Sequence, residues 1–329
     1  MRHEYSLDAL NFFLADVRQG LGPYLAIYLL TERHWAEDEI GLVMSIAAVS
    51  GLIVQAPAGA LIDVSYAKRA IIVAAALVVT SASIILHFMS SFVLVAESQA
   101  AAGTAEAFFA PTVAAITLGI MGPRAFTRRI GRNESFNHAG NALAAALAGV
   151  CAWKWGPIVV FYLLAGMALL SIVSVLTIDA DAIDYDRARG LHDGPSTSHE
   201  KPSGLSVLMS SRGLMIFCLC CVIFHLANAA MLPLVGQKLA LQDKNQGTAL
   251  MSACIVAAQA VMVPMAMLVG RRPTFGDASP YFSQDSPSCL CAAFSTLYRM
   301  IAIGCLRSNP SMGLGQGFMA HFFRSLSQT

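Results

Sequence analysis

The residues of this sequence best suited to chemistry are ionisable and amide side chains set inside long apolar blocks, where each is costly and so a functional candidate by default. In the first block, a rotation of about 100° per residue puts Asn11, Arg18 and Gln19 on one face with Gly22, and Asp16 at the edge of that face. Glu97 and Glu106 are nine residues apart and therefore project from opposite faces of one helix, which leaves Glu106, deeper by chain count, to line a central cavity. Asn137, His138 and Asn141 share a face of a later block, and His225 with Asn228 could form an opposing wall. This set suits a polar solute, and Glu106 or Asp16 suits the passage of a proton. A blander reading stands beside it: Arg18 pairs with Asp16 or Glu106 as an interhelical bridge, and His138 and His225 are satisfied core groups. Gln55, His87 and Gln259 read as packing hydrogen-bond donors.

Other chemistries fit less well. Cys218 and Cys221 form a CxxC, but inside an apolar helix without His or acidic neighbours, so they read as small buried hydrophobes. Neither a metal site nor a cofactor is expected. The P-loop pattern GxxxxGK[ST] does not occur, which argues against an ATP-driven pump. An integral-membrane enzyme would cluster His and acidic residues at one membrane face, and this sequence does not.

Helices in lipid must position the candidates. Hydrophobic residues make up 56% of the 329 and charged residues 12%, against about 25% charged in an ordinary soluble domain. The apolar residues fall in blocks that match the roughly 20 residues needed to cross a hydrocarbon core. The pattern predicts an all-α, polytopic membrane bundle with eight spans, over 9–30, 40–62, 70–89, 92–118, 136–153, 157–178, 213–235 and 247–269. The first block holds Asp16 and Arg18, so it is expected to be a retained span and not a cleaved leader. A net charge of +1 gives no field that would attract nucleic acid; the expected partners are membrane lipid, a small-molecule substrate and protons.

The domains expected are a six-helix bundle over 1–178, a charged Gly-, Pro- and Ser-containing cytoplasmic linker over 179–212, and two helices of a second bundle over 213–270. With the N-terminus inside, the cytoplasmic connections carry Lys68, Arg69, Arg124, Arg128, Arg129, Arg132, Arg187, Arg189, Lys201 and Arg212, and the outer ones only Arg33, Lys154, Lys238 and Lys244. That asymmetry predicts a cytoplasmic N-terminus in the inner membrane. The second span repeats in the eighth at an offset of 207 residues: Met44 and Ser45 meet Met251 and Ser252, and Pro57 meets Pro264. Six spans, a linker and a restart suggest parallel bundles.

The connection after the second span, from Gly59 through Asp63 to Lys68 and Arg69, resembles the cytoplasmic loop motif of the major facilitator superfamily, Gly-x-x-x-Asp followed by a basic cluster. Gly59, Leu61, Asp63, Lys68 and Arg69 match it; Val64 stands where the family has a basic residue, and Tyr66 where it has a glycine. The resemblance implies secondary active transport of a small organic solute, with Gly59, Asp63, Lys68 and Arg69 as a gating loop that braces the bundles. Gly59 is expected to permit close helix approach, and Asp63 to pair at a helix end.

After Gly270 the long apolar blocks give way to mixed Ser, Pro, Cys and Arg. One base missing after the Arg272 codon would, with permitted codon choices, restore Gly-x-x-x-Asp and a basic cluster at the place where a second copy of the motif is due. The expectation is therefore a frameshifted, non-native, disordered tail over 271–329. The alternative function that follows is an inactive product of a disrupted transporter gene.

Overall fold

The computed structural model describes residues 2–19, 21–89, 91–189, 212, 215–216, 219, 223, 231–242 and 247–271. His225, Asn228, most of the span expected over 213–235 and the tail beyond 271 lie outside these residues. The described elements are all helical: α1 (Arg2–Gln19), α2 (Leu21–Thr31), α3 (Glu37–Val64), α4 (Lys68–Leu86), α5 (Phe92–Glu106), α6 (Phe109–Trp155), α7 (Val159–Leu176), a 3-10 turn (Ala180–Ala182), α8 (Tyr185–Ala188), α9 (Met231–Gln242) and α10 (Gly247–Arg271).

Several helix limits follow from local chemistry. Glu37, Asp38 and Glu39 fill the first turn of α3, where carboxylates meet the positive end of the helix dipole, and Glu39 reaches back to accept from the Ala36 amide at 3.2 Å. Within α6 the chain breaks at Gly122, whose φ of +70° is the left-handed region that favours glycine, and Pro123 then opens the next helical stretch without needing an amide partner. The expected fourth span is thus α5 plus the start of α6, and the fifth is the rest of α6. The first expected span is divided between α1 and α2. Lys238, expected in an outer connection, belongs to α9.

Among the described residues, five helical stretches are long and apolar enough to cross a membrane, Phe92–Trp155 counting as one of them. Their outer faces are apolar: Leu52, Ile53 and Trp153 are all exposed. That inverts a soluble fold and suits helices bathed in lipid tails.

The chain alternates between two ends. One, here the basic end, collects the start of α1, the end of α3, the start of α4, the Gly122 break and the end of α7. The far end collects the end of α2, His87 and Trp155. α1 packs on α6 and α7, α5 on α3 and α4, and α4 on α7. A core of Leu7, Leu10, Leu14, Ile72, Phe109 and Val175 fills the basic end, and one of Leu25, Tyr28, Ile40, Val43, Val95 and Phe161 the far end. A third cluster, including Tyr24, Ile27, Ala148, Ala240 and Met251, joins α9 and α10 to α2 and α6.

Small residues set the closest approach between helices. A Cβ added at Gly51 would fall 2.9 Å from the Gly103 carbonyl oxygen, and one at Gly103 would meet the Ala47 backbone. The Ala100 to Ala105 run of α5 is therefore packing surface. Gly59 behaves differently from expectation: a Cβ there would meet nothing within 4 Å. The start of the connection after α7 is also not free chain, because Ile178, Ile183 and Ala188 are buried and join the basic-end core.

Candidate functional site

The candidate residues Asp16, Arg18 and Glu106 lie on α1 and α5, beside Tyr24 of α2. Asp16 is 6% exposed and, among the described residues, takes no hydrogen bond or ion pair. Tyr24 lies within its electrostatic reach. Glu106, at the end of α5, is exposed. Arg18 is half-buried and acts on Glu106 electrostatically. Contact is absent, since no carboxylate lies within 4.0 Å of Arg18 among the described residues. Asp16 and Arg18 thus lie two residues apart on α1 without pairing, and Glu106 feels the Arg18 charge without touching it.

The remaining expected residues divide. Asn11 is buried but turned onto its own helix, donating to the Leu7 carbonyl at 2.7 Å. Asn137 donates to Glu134 one turn away at 3.3 Å, and Asn141 is half-buried. His138 Nδ1 meets Gln259 Oε1 at 2.7 Å, which ties α6 to α10. Gln19 is placed on α1 by its backbone alone. Glu97 faces away from the centre, in an outer apolar groove of about 380 Å³ between α4 and α5 lined by Leu77, Val78, Ser81, Ile85 and Leu94.

Towards the far end the two parts of the chain meet closely. The Tyr24 and Ser252 hydroxyls are 2.8 Å apart and buried. A Cβ at Gly149 would fall 2.7 Å from Ser252 Cβ, and one at Gly236 3.4 Å from both the Pro23 carbonyl and Ile27. At the basic end the loop motif is a set of helix caps. Lys68, fully covered by its neighbours although it sits at the edge of the bundle, donates to the Ile62 carbonyl and feels the Asp63 charge. Arg69 donates to Leu176 O at the end of α7, at 2.9 Å.

Two polar clusters are invisible to spacing. Asp8 accepts from Arg129 at 2.6 Å and from Arg132 at 2.5 Å, and Arg129 passes on to Asn133 (2.8 Å) and Asn133 to Thr117 (3.0 Å). At the far end Tyr28, Glu32, Arg33, His87 and Trp155 line a cavity of about 460 Å³, in which Arg33 donates to the Tyr28 hydroxyl at 3.2 Å and to the His87 carbonyl. Each joins residues more than fifty positions apart, so no local pattern could announce them.

Packed helices with apolar outer faces, several of them long and apolar enough to cross a membrane, define a polytopic helical membrane protein. The family model of the Major Facilitator Superfamily matches residues 7–328, and the chain belongs to that family. It is similar to an uncharacterized MFS-type transporter, MT2531, of Mycobacterium tuberculosis (strain CDC 1551 / Oshkosh): 52% identical over 277 residues, covering 84% of this chain and 66% of the relative. The same identity and coverage hold for the uncharacterized MFS-type transporter Rv2456c of Mycobacterium tuberculosis (strain ATCC 25618 / H37Rv). The match therefore spans just under two thirds of these relatives' length.

Proposed function

We propose that the protein is a secondary transporter that moves a small organic solute across the cytoplasmic membrane, coupled to proton exchange at Asp16 or Glu106. The observation that carries this reading is the buried carboxylate of Asp16, which forms no ion pair, with Arg18 two residues on acting on Glu106 without touching it. Inside a membrane such a group is costly unless a proton or a solute neutralises it, which is the property a coupled transporter uses.

The meeting of the two parts of the chain supports the same reading. α10 buries Met251 and Ser252 against the first part of the chain, while Leu250, Val261, Met262 and Met267 on its other side are 40–44% exposed. These contacts, with the tie of His138 to Gln259 further along α10, give the second part a seat against the first that a transporter of this type would have to change, and the basic end is the cytoplasmic one if Lys and Arg are retained inside.

The test is proton movement in liposomes holding the purified 329-residue chain and a pH dye, challenged with a panel of small solutes. At least one solute is expected to drive proton flux; Asp16→Asn or Glu106→Gln abolishes it, and Glu97→Gln leaves it. A folded chain that moves neither proton nor solute across the whole panel would sink the proposal in favour of an inactive gene product.

A further inference from the structure

We propose that residues 183–189, at the start of the connection after α7, form a clasp that locks the loop between α3 and α4, with Arg189 as its bolt and Tyr66 as the plate it closes on. The inference rests on contacts at the basic end and holds whatever the solute.

Consider first what the end of α3 needs. The last carbonyls of a helix lack amide partners and carry the negative end of its dipole, so cations placed there satisfy both. Lys68, from within the loop, serves Ile62 O. Val64 O is served from outside it: Arg189 Nη2 donates to that carbonyl at 3.3 Å. The same guanidinium lies 4.4 Å from the centre of the Tyr66 ring, within cation–π range. Tyr66 in turn contacts Tyr185, ring centres 5.3 Å apart. Tyr66 is 64% exposed, so burial does not explain its position; the two contacts do. Tyr66 is also one of the two places where this loop departs from the motif it resembles, and its ring is the face on which Arg189 lies.

A bolt needs an anchored housing. Asp184 caps α8 by accepting from the Asp186 and Arg187 amides at 3.1 and 3.0 Å, and its own amide donates to Gly119 O at 3.3 Å. Gly119 leaves no room for a side chain: a Cβ would lie 2.9 Å from Asp184 O, 3.0 Å from Ile183 Cγ2 and 3.1 Å from Ala188 Cβ. Ile183 and Ala188 are buried in the core. The clasp is therefore pinned to α6 at one end and closes on the α3–α4 loop at the other. Movement of that loop requires Arg189 to let go.

Trypsin cleavage after Arg187 in the detergent-solubilised full chain reads the clasp directly, because the bond is cut only when 183–189 leaves its seat. Arg189→Gln and Tyr66→Leu are each expected to speed this cleavage about 3- to 10-fold, the range of a stacked, hydrogen-bonded guanidinium at a partly exposed site. The double variant should be no faster than the faster single one, since both remove one interaction. Arg189→Lys, which keeps the charge but loses the planar stack, should fall between wild type and Arg189→Gln. If Arg189→Gln does not accumulate, Arg189→Lys is combined with Tyr66→Leu and read in the same way. Unchanged cleavage in the single variants, or a double variant equal to the product of the two, would overturn the clasp.

Discussion

Asp8 holds two guanidinium groups at the basic end of the first bundle, and the chemistry there is unforgiving. Arg129 is 3% exposed and its Nη1 finds no partner, so its charge is stabilised through Asp8 and through Asn133. Removing one member of a buried pair leaves the other uncompensated, at a cost of about 3–5 kcal/mol. Asp8→Asn is accordingly expected to cause a loss of that order in stability, seen as a lower unfolding temperature in detergent. Arg132, whose side chain is 46% exposed, is screened by water, and Arg132→Gln should cost about 1 kcal/mol or less. Equal losses in the two variants would mean that the network does not anchor α1. Asp16, by contrast, is buried and forms no ion pair among the described residues.

Among the helices, glycine has two distinct uses. Gly103 and Gly51 let α3 and α5 touch through their backbones, whereas Gly59 sits over open space. Gly103→Ala should force the pair apart and destabilise by about 1–3 kcal/mol. Gly59→Ala should be neutral or stabilising by about 0.4–1 kcal/mol, because it stiffens the unfolded chain without a clash. Thermal unfolding of the two variants side by side checks this; a larger loss at Gly59 would show that another helix packs there in the membrane. The Gly122 break has a different consequence. It lets one helix run from the Asp8 network, through His138, to the Gly149 contact with Ser252. A displacement at either end of the stretch from Pro123 to Trp155 is thereby carried to the other by one continuous helix.

At the scale of the molecule, the proposed orientation places the basic end in the cytoplasm. Reporter fusions at Arg69, Arg189 and Arg271 should all read inside and one at Glu37 outside; an outside signal at Arg189 would break the six-helix count of the first bundle. The proposed frame change after Arg272 has an equally direct check. Resequencing the gene across this region either finds the missing base or does not. If it is found, restoring the alternate frame should raise membrane accumulation and transport above those of the 329-residue chain. Equal behaviour of the two forms would remove the idea; the family match itself runs across the tail to residue 328.

Length, hydropathy and the positions of Lys and Arg determined most of the architecture, because lipid forces each crossing to be a helix of predictable length and leaves no other way to satisfy the backbone. α3, α4, α7 and α10 begin and end within a few residues of the expected spans for that reason. The separation of Glu97 from Glu106 was also legible, since nine residues of helix set opposite faces whatever surrounds them. What the tertiary structure alone decided is pairing. Asp8 with Arg129, Tyr24 with Ser252, His138 with Gln259 and Arg189 with Tyr66 join residues 121, 228, 121 and 123 positions apart in the chain. Helical periodicity fixes which face a residue occupies, but not which other face will meet it; that depends on how several helices pack at once, through close contacts such as those at Gly103, Gly119 and Gly149.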